Sequence, residues 1–426
     1  MKTPFVLFIL PLIFITLAFF RAQRVYSRDP TSYFFDSTTA YDRKYSLIRK
    51  KEADAFIEAV ATKPFRRTIP YLPGTTRPLL CIGIPTVSRP TGDVYVRTTI
   101  GSLLAGLNSA ERDQIYLVPF IAHSDPDIHP IYNETWLRNV ADEILTYHKE
   151  GSELQHLKDL EKDKENREKQ ISDYTLVLEA CIKANSEYVV TFEDDVLALD
   201  GWFHRTKAAL QGVQAEVKRK NMDAFFYIRL FYTETSLGWN LESWPYYVFN
   251  SVMIGTAVVL AVLIYMNRYQ KISSLSGVKR RLHYFFIAIA YTAIAIGFFF
   301  LCGRVSMFPI SNGVEEMNKY ACCAQGLVYN QARVPRLIEW YREKHLGYVD
   351  VLAESLGDTG TVGSRWALTP SVVQHVGTFS TKGEDKLKKG EVSVSQQRWN
   401  FAFELNDASM LKIEHEAAIR AQQPKN

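Results

Sequence analysis

Ser186-Glu187-Tyr188-Val189-Val190-Thr191-Phe192-Glu193-Asp194-Asp195-Val196 is a short β-type apolar run that ends on three consecutive acids. Val, Tyr, Phe and Thr suit a buried strand, and three adjacent carboxylates repel one another unless positive charge sits among them. A divalent cation is the expected neutraliser. Helix-like sequence over Ile171 to Ala184 precedes the run, and Asp200-Gly201-Trp202-Phe203 opens a second helix after it. That order puts the carboxylates at the carboxyl end of a strand, where α/β sheets bind ligands. A solvated acidic turn is the competing reading of the three acids taken alone.

With 426 residues, 47% hydrophobic and 23% charged, and a net charge of +4, the chain has the composition of neither a disordered protein nor a nucleic-acid binder. Its mean hydropathy of -0.11 averages three intensely apolar stretches with a polar remainder long enough for one large domain. Pro4 to Phe20 is just long enough to span a bilayer. A cleaved signal peptide competes, but no small-residue cleavage site precedes Arg21 and Arg24, which favours an uncleaved signal anchor over residues 4–20 with a cytosolic terminus at 1–3. Tyr246 to Met266 and Tyr284 to Cys302 are longer, carry aromatic residues at their ends and read as a membrane hairpin. The loop between them, 267–283, holds Arg268, Lys271, Lys279, Arg280 and Arg281 and no acid, so the positive-inside rule places it in the cytosol. Both flanks of the hairpin are then luminal, although Arg21, Arg24 and Arg28 pull weakly the other way. The sequon Asn133-Glu134-Thr135 becomes available for N-glycosylation. None of the three runs contains an ionisable residue to line a conduction path, which argues against a channel.

Residues 21–78 read as a luminal stem, with an amphipathic spacer helix over Arg43 to Thr62. Leu79-Leu80-Cys81-Ile82-Gly83-Ile84, between Pro78 and Pro85, is a fully buried strand by its unbroken apolar character. A helix over Val94 to Leu107 and a second strand over Ile115 to Ala122 follow, the latter ending in His123-Ser124-Asp125. Glu150 to Gln170 is nearly all polar and reads as a solvated helix or loop. Ala224 to Phe231, Ala324 to Tyr329 and Val334 to Lys344 continue as strand, strand and helix. The hairpin, 246–302, thus interrupts one α/β domain whose two parts are 79–245 and 303–426. Neither G-x-G-x-x-G nor G-x-x-x-x-G-K-[ST] occurs, which removes dinucleotide-binding and P-loop readings. Five scattered cysteines, Cys81, Cys181, Cys302, Cys322 and Cys323, make neither a disulfide scaffold nor a C-x-x-C zinc site and leave the redox compartment open.

Phe192-Glu193-Asp194-Asp195 after its strand, Val349-Asp350-Val351-Leu352, and Pro370-Ser371-Val372-Val373-Gln374-His375-Val376-Gly377 together resemble a GT-A glycosyltransferase of the N-acetylglucosaminyltransferase IV-like group. The inserted hairpin narrows the resemblance to the Golgi family that adds N-acetylgalactosamine to GPI-anchor glycans, the post-GPI-attachment-to-proteins factor type 4 family, over about Leu79 to Ser380. The resemblance implies a Rossmann-like mixed sheet, a UDP-sugar donor, inversion at the transferred sugar, a GPI glycan or GPI-anchored protein as acceptor, and a multi-pass Golgi membrane protein with a luminal catalytic domain. It assigns Asp195 and His375 to Mn²⁺ or Mg²⁺, and Glu193 and Asp194 to the ribose or to support of the metal ligand. Thr86, Val87, Arg89 and Asp125 are donor-site candidates at strand ends. Asp350 is the expected base, with Glu354 one helical turn on as the reserve. A helix cap for Asp350 and a structural role for His375 stay open, as do disulfides or buried thiols for Cys322-Cys323. Another UDP-sugar, such as N-acetylglucosamine going to N-glycans, is the nearer alternative function, and a non-catalytic membrane adaptor the further one.

Overall fold

Residues 9–69, 77–89, 92–269, 275–317, 323–377 and 398–422 are described in this computed structural model. They include strands β1 (Leu80–Thr86), β2 (Ile115–Ile121), β3 (Leu145–Thr146), β4 (Tyr188–Phe192), β5 (Val196–Ala198), β6 (Phe225–Arg229), β7 (Gly313–Glu316), β8 (Gly326–Asn330), β9 (Ser364–Thr369) and β10 (Val373–His375). In β1, Leu80, Ile82 and Ile84 enter one apolar core while Cys81 enters another. In β4, Tyr188, Val190 and Phe192 join the first core and Val189 the second. Both faces are covered, so these strands read as unbroken apolar runs rather than as alternation.

Eight strands form one sheet in the order β3-β2-β1-β4-β8-β6-β9-β7, and β5 pairs with β10 in a separate ladder. β3, β2, β1 and β4 are mutually parallel; β8 runs antiparallel to both β4 and β6, β9 is parallel to β6, and β7 closes the edge antiparallel. The expected mixed α/β sheet is present. From β1 the chain moves outward through β2 and β3, then returns to the other side of β1 as β4. The strand order therefore reverses between β1 and β4, and the crevice beyond their carboxyl ends is where an open α/β sheet places a ligand. Those two ends carry Thr86 to Arg89 and Glu193 to Asp195.

The helix Asn166–Lys183 follows the strand-helix pattern and covers β1 closely: a side chain at Gly83 would stand 1.9 Å from Val177 Cγ1. A disulfide between Cys81 and Cys181 joins that helix to β1, a pairing that spacing alone does not reveal. Closing a loop of 100 residues limits the unfolded chain by about 4–5 kcal/mol in the chain-entropy account. Cys323 is also disulfide-bonded, Cys302 is a buried thiol, and Cys322 lies outside the described residues.

Two compact units divide the chain, Met1–Tyr41 with Leu237–Ile310, and Asp42–Ser236 with Ser311–Asn426. The second contains the whole sheet. β4 and β6 precede the apolar insertion and β8 and β9 follow it, yet they pair directly. One sheet occupies one side of a bilayer, so the intervening chain crosses an even number of times or not at all. The helix Tyr45–Thr62, expected as a spacer, belongs to this unit: Ala53 and Ile57 are fully buried, and Arg49 donates to the carbonyls of Ala198, Ser102 and Ala105 at 3.0, 2.8 and 2.8 Å. The polar stretch after Glu150 is helical over Gly151–Asp163 and is not simply solvated, because Leu157 and Leu160 are buried.

Among the described residues two helices are long and apolar enough to cross a membrane, Glu234–Arg268, which lies in the first unit from Leu237 onward, and Arg281–Leu301, with none of their most apolar windows buried by protein. Apolar character on all sides without protein cover is what lipid contact requires. The helix Leu10–Val25 belongs to the same unit, where Phe19 and Phe298 both pack against Phe34. Residues 4–8 of the expected anchor and Lys271 of the basic loop lie outside the described residues.

Candidate active site

β4 delivers Glu193, Asp194 and Asp195 at its carboxyl end, and β5 begins at Val196 immediately after. β10 pairs antiparallel with β5, His375 opposite Val196, and Val376 N–H donates to the Asp195 carbonyl at 2.9 Å. This ladder is what carries His375 across about 180 residues of sequence to the acids. Gly377 completes the approach, since a side chain there would stand 2.2 Å from Asp195 Oδ2.

Glu193, Asp195 and His375 each offer one ligand atom, and these atoms lie within 4.8 Å of one another. Ligands held at about 2.1 Å around one octahedral ion stand about 3 Å apart when adjacent and about 4.2 Å when opposite, so the three donors fit a cation after less than about 1 Å of closure. His375 Nε2 is 3.5 Å from Asp195 Oδ2, long for a hydrogen bond, and its Nδ1 is buried with no hydrogen-bond partner among the described residues. Two carboxylates and one imidazole suit Mn²⁺ better than Mg²⁺. The donor set and the spacing therefore accommodate a divalent ion.

The two acids of the triad lie in opposed electrostatic settings. Burial and the neighbouring Asp195 charge push Glu193 up to about 7. Burial also works to raise Asp195, but His375, Arg89 and Arg398 outweigh it and hold that carboxyl at about 2. Gln325, fully buried, donates to Glu193 Oε2 at 2.9 Å.

Asp194 is held in place by the chain itself. Arg89 grips it at both oxygens, at 3.0 and 2.6 Å, and the Thr86 hydroxyl donates to Oδ2 at 2.7 Å. His129 Nε2 lies 3.1 Å from that hydroxyl, and burial, with His123 and Arg89 nearby, lowers this imidazole to about 4; because the hydroxyl gives its proton to Asp194, its oxygen is left to accept from Nε2–H. The Thr99 hydroxyl lies 2.7 Å from the carbonyl oxygens of both Asp194 and Val196, which fixes the backbone turn between strand and ladder. Ser88 N–H donates to His123 Nε2 at 2.7 Å and orders the loop after β1. Sequence reading gave no role to Gln325, His129, Thr99 or His123. His123 and Gln325 sit beside strand ends, whereas Thr99 lies within the helix Tyr95–Leu104 and His129 follows a short turn, so no motif marks them.

Thr86, Arg89, Glu193, Asp194, Asp195 and His375 are thus one cluster. Val87, at the same strand end, packs partly buried beside the Phe120 core. Asp125 is not part of the cluster: it is exposed and accepts from Asp127 N–H at 3.1 Å as the cap of a short turn. Asp350 lies in the first turn of the helix Val349–Asp358, where Tyr348 and not Asp350 is the capping residue. Its carboxylate accepts from Val351 N–H at 2.9 Å, and its charge reaches Glu193 and raises it. Glu354, one turn on, is clamped by Arg229, Arg365 (2.6 Å) and the Tyr227 hydroxyl.

The acid cluster at the sheet's switch point is assembled from both sides of an apolar insertion, and a match to a family of glycosyltransferases spans residues 80–374. The family is GPI-N-acetylgalactosamine transferase PGAP4, and because the match takes in more than two thirds of the chain, the chain belongs to it. Comparison with curated proteins finds no match.

Proposed function

We propose that the chain transfers N-acetylgalactosamine from UDP-N-acetylgalactosamine to the mannose core of GPI-anchor glycans, with inversion, on the luminal side of the Golgi membrane. The observation that carries this reading is the triad of Glu193, Asp195 and His375, built from both sides of the insertion and framed by the span that matches the family. Glu193, Asp195 and His375 would hold the ion, Mn²⁺ in preference to Mg²⁺, and bound there it supplies positive charge against the leaving diphosphate. Asp350 takes the acceptor hydroxyl proton as that oxygen forms its bond to C1 of the sugar. The bond from C1 to the β-phosphate oxygen breaks, and UDP departs with the electron pair. Asp350 suits this task better than Glu354, whose carboxylate is already engaged by two guanidinium groups. Thr86, Arg89 and Asp194 keep the loop after β1 and the acids in register, so that the donor meets a preformed crevice.

A luminal setting is supported by the disulfide Cys81–Cys181, which belongs in an oxidising compartment, and by the basic loop 267–283 between the two apolar helices. In this topology the helix over Leu10–Val25 is the signal anchor, and Asn133, exposed on the surface, is open to glycosylation. The deciding experiment presents the purified protein with a panel of UDP-sugars and both acceptors. Mn²⁺-dependent transfer from UDP-N-acetylgalactosamine to a GPI glycan is expected; transfer of N-acetylglucosamine to N-glycans instead would replace the donor and acceptor named here, and no turnover with any donor would leave an adaptor.

A further inference from the structure

The loop after β1 carries Thr86 and Arg89, the two groups that seat Asp194, and an imidazole just beyond β2 holds the backbone between them. Ser88 N–H donates to His123 Nε2 at 2.7 Å. A backbone amide can only donate, so Nε2 must offer its lone pair and the neutral ring carries its proton on Nδ1. A proton added to the ring would set a second N–H against the one Ser88 already points there. The bond therefore exists only while His123 is neutral.

Charged groups from several elements face this ring. Glu161, on the helix Gly151–Asp163, lies 4.0 Å from Nδ1 and accepts from the Ser124 N–H and hydroxyl at 2.8 and 2.5 Å. Lys169, on the helix Asn166–Lys183, stands 4.0 Å from Glu161, donates to the Ala122 carbonyl at 2.6 Å and is paired with Asp173 at 3.2 Å. Asp173 is bonded in turn by the Tyr147 hydroxyl. The His129 ring lies 5.9 Å from that of His123, and Asp125 is exposed on the same loop. Burial and Lys169 work against a proton on His123 while Glu161 and Asp125 favour one, and the balance falls below the ordinary 6.5. Two helices thus clasp the chain on either side of an imidazole kept in the form that Ser88 needs.

We propose that His123 is a positioning residue for transfer: its neutral ring holds the Ser88 amide, which seats Arg89 against Asp194, and a proton on the ring releases that loop. The proposal rests on the transferase reading above and adds an acid limit to it. Because the folded-state value is lowered, the bond is intact at neutral pH and is lost as pH falls below 6.5 through that lowered value. A transferase built this way works in a near-neutral compartment and declines in a more acidic one.

The test compares the full-length wild type with His123→Gln, His123→Ala and Glu161→Gln from about pH 7.5 to about pH 4.5. Two readouts are taken: kcat/KM for transfer, and amide hydrogen exchange of the peptide containing Ser88, corrected for intrinsic exchange. In the wild type both transfer and Ser88 protection should fall about tenfold or more towards the acid end. Glutamine can present its side-chain oxygen to the Ser88 amide and does not titrate, so His123→Gln should hold both readouts to lower pH. His123→Ala should be low in both throughout. Glu161→Gln keeps the ring but removes a charge that favours its proton, so its acid limb should move to lower pH. Thermal unfolding at the neutral end shows whether each variant is folded, and the two glutamine variants carry the test if alanine is not tolerated. An acid limb shared by the wild type and His123→Gln, an unmoved limb in Glu161→Gln, or wild-type Ser88 protection in His123→Ala overturns the proposal and leaves the transferase reading intact. A wild-type protein that transfers no sugar at any pH overturns the transferase reading, and Ser88 exchange then decides by itself whether the loop depends on His123.

Discussion

Replacing Gly377 with alanine asks whether Asp195 must stand where the ladder puts it. The new methyl would meet Asp195 Oδ2 at 2.2 Å, Cγ at 2.8 Å and Cβ at 3.1 Å, so to regain an ordinary 3.4 Å contact the carboxylate has to retreat by about 1 Å. The strands cannot easily part instead, because Val376 N–H is bonded to the Asp195 carbonyl and β10 is paired to β5. Misplacing a reacting or ligating group by 1 Å costs on the order of 10²-fold in rate, and local overpacking costs about 1–3 kcal/mol of stability. Gly377→Ala should therefore cut transfer about 100-fold and weaken Mn²⁺ binding clearly, with a small drop in melting temperature. Gly238→Ala, which meets open space, is the control. Transfer rate, Mn²⁺ titration and thermal unfolding are measured on the same preparations. A Gly377→Ala protein with wild-type turnover and wild-type Mn²⁺ affinity refutes the placement of Asp195 as a ligand.

Asp350→Asn should keep UDP binding and lose transfer by about 10²- to 10⁴-fold in a steady-state assay, and unchanged turnover would move the base elsewhere. Glu354→Gln should instead act on stability, by about 3–5 kcal/mol in denaturant unfolding, because it strips the buried Arg229 of its carboxylate; an unaffected midpoint would show that the clamp carries no weight. His415 bonds Asp200 at 2.7 Å and Glu111 at 3.1 Å; burial works against its proton, but these two carboxylates outweigh burial and raise it to about 9. A raised folded-state value means that the stabilisation is complete below the unfolded value near 6.5 and is lost as pH rises through about 9. Melting temperature should fall over that window in the wild type and lose this component in His415→Ala, and identical pH profiles would refute the assignment.

The strand and its acids were legible because their signals are local: an unbroken apolar run from Tyr188 to Phe192, then three carboxylates. The helix Val334–Lys344 and the two apolar helices were legible for the same reason. The ladder between β5 and β10 was not, since two three-residue strands so far apart carry no periodicity of their own, and only family resemblance connected His375 with Asp195. The roles of buried polar side chains were hidden more deeply. The amphipathic stretch Arg43 to Thr62 read as a stem spacer, whereas the Arg49 guanidinium within it donates to three carbonyls inside the domain. Glu354 could stand as the reserve base because Arg229 and Arg365, which engage it, come from distant strands. Composition shows that a charge exists; only the fold shows what has already claimed it.

The central claim is that carboxylates preceding the membrane insertion and an imidazole following it hold one cation together. Mn²⁺ titration of the full-length protein, beside Asp195→Asn and His375→Ala, addresses it directly. One site in the wild type is expected, with affinity lost in both variants by more than the roughly 10- to 100-fold that removing a supporting partner costs. Mn²⁺ binding that ignores His375→Ala would contradict the account.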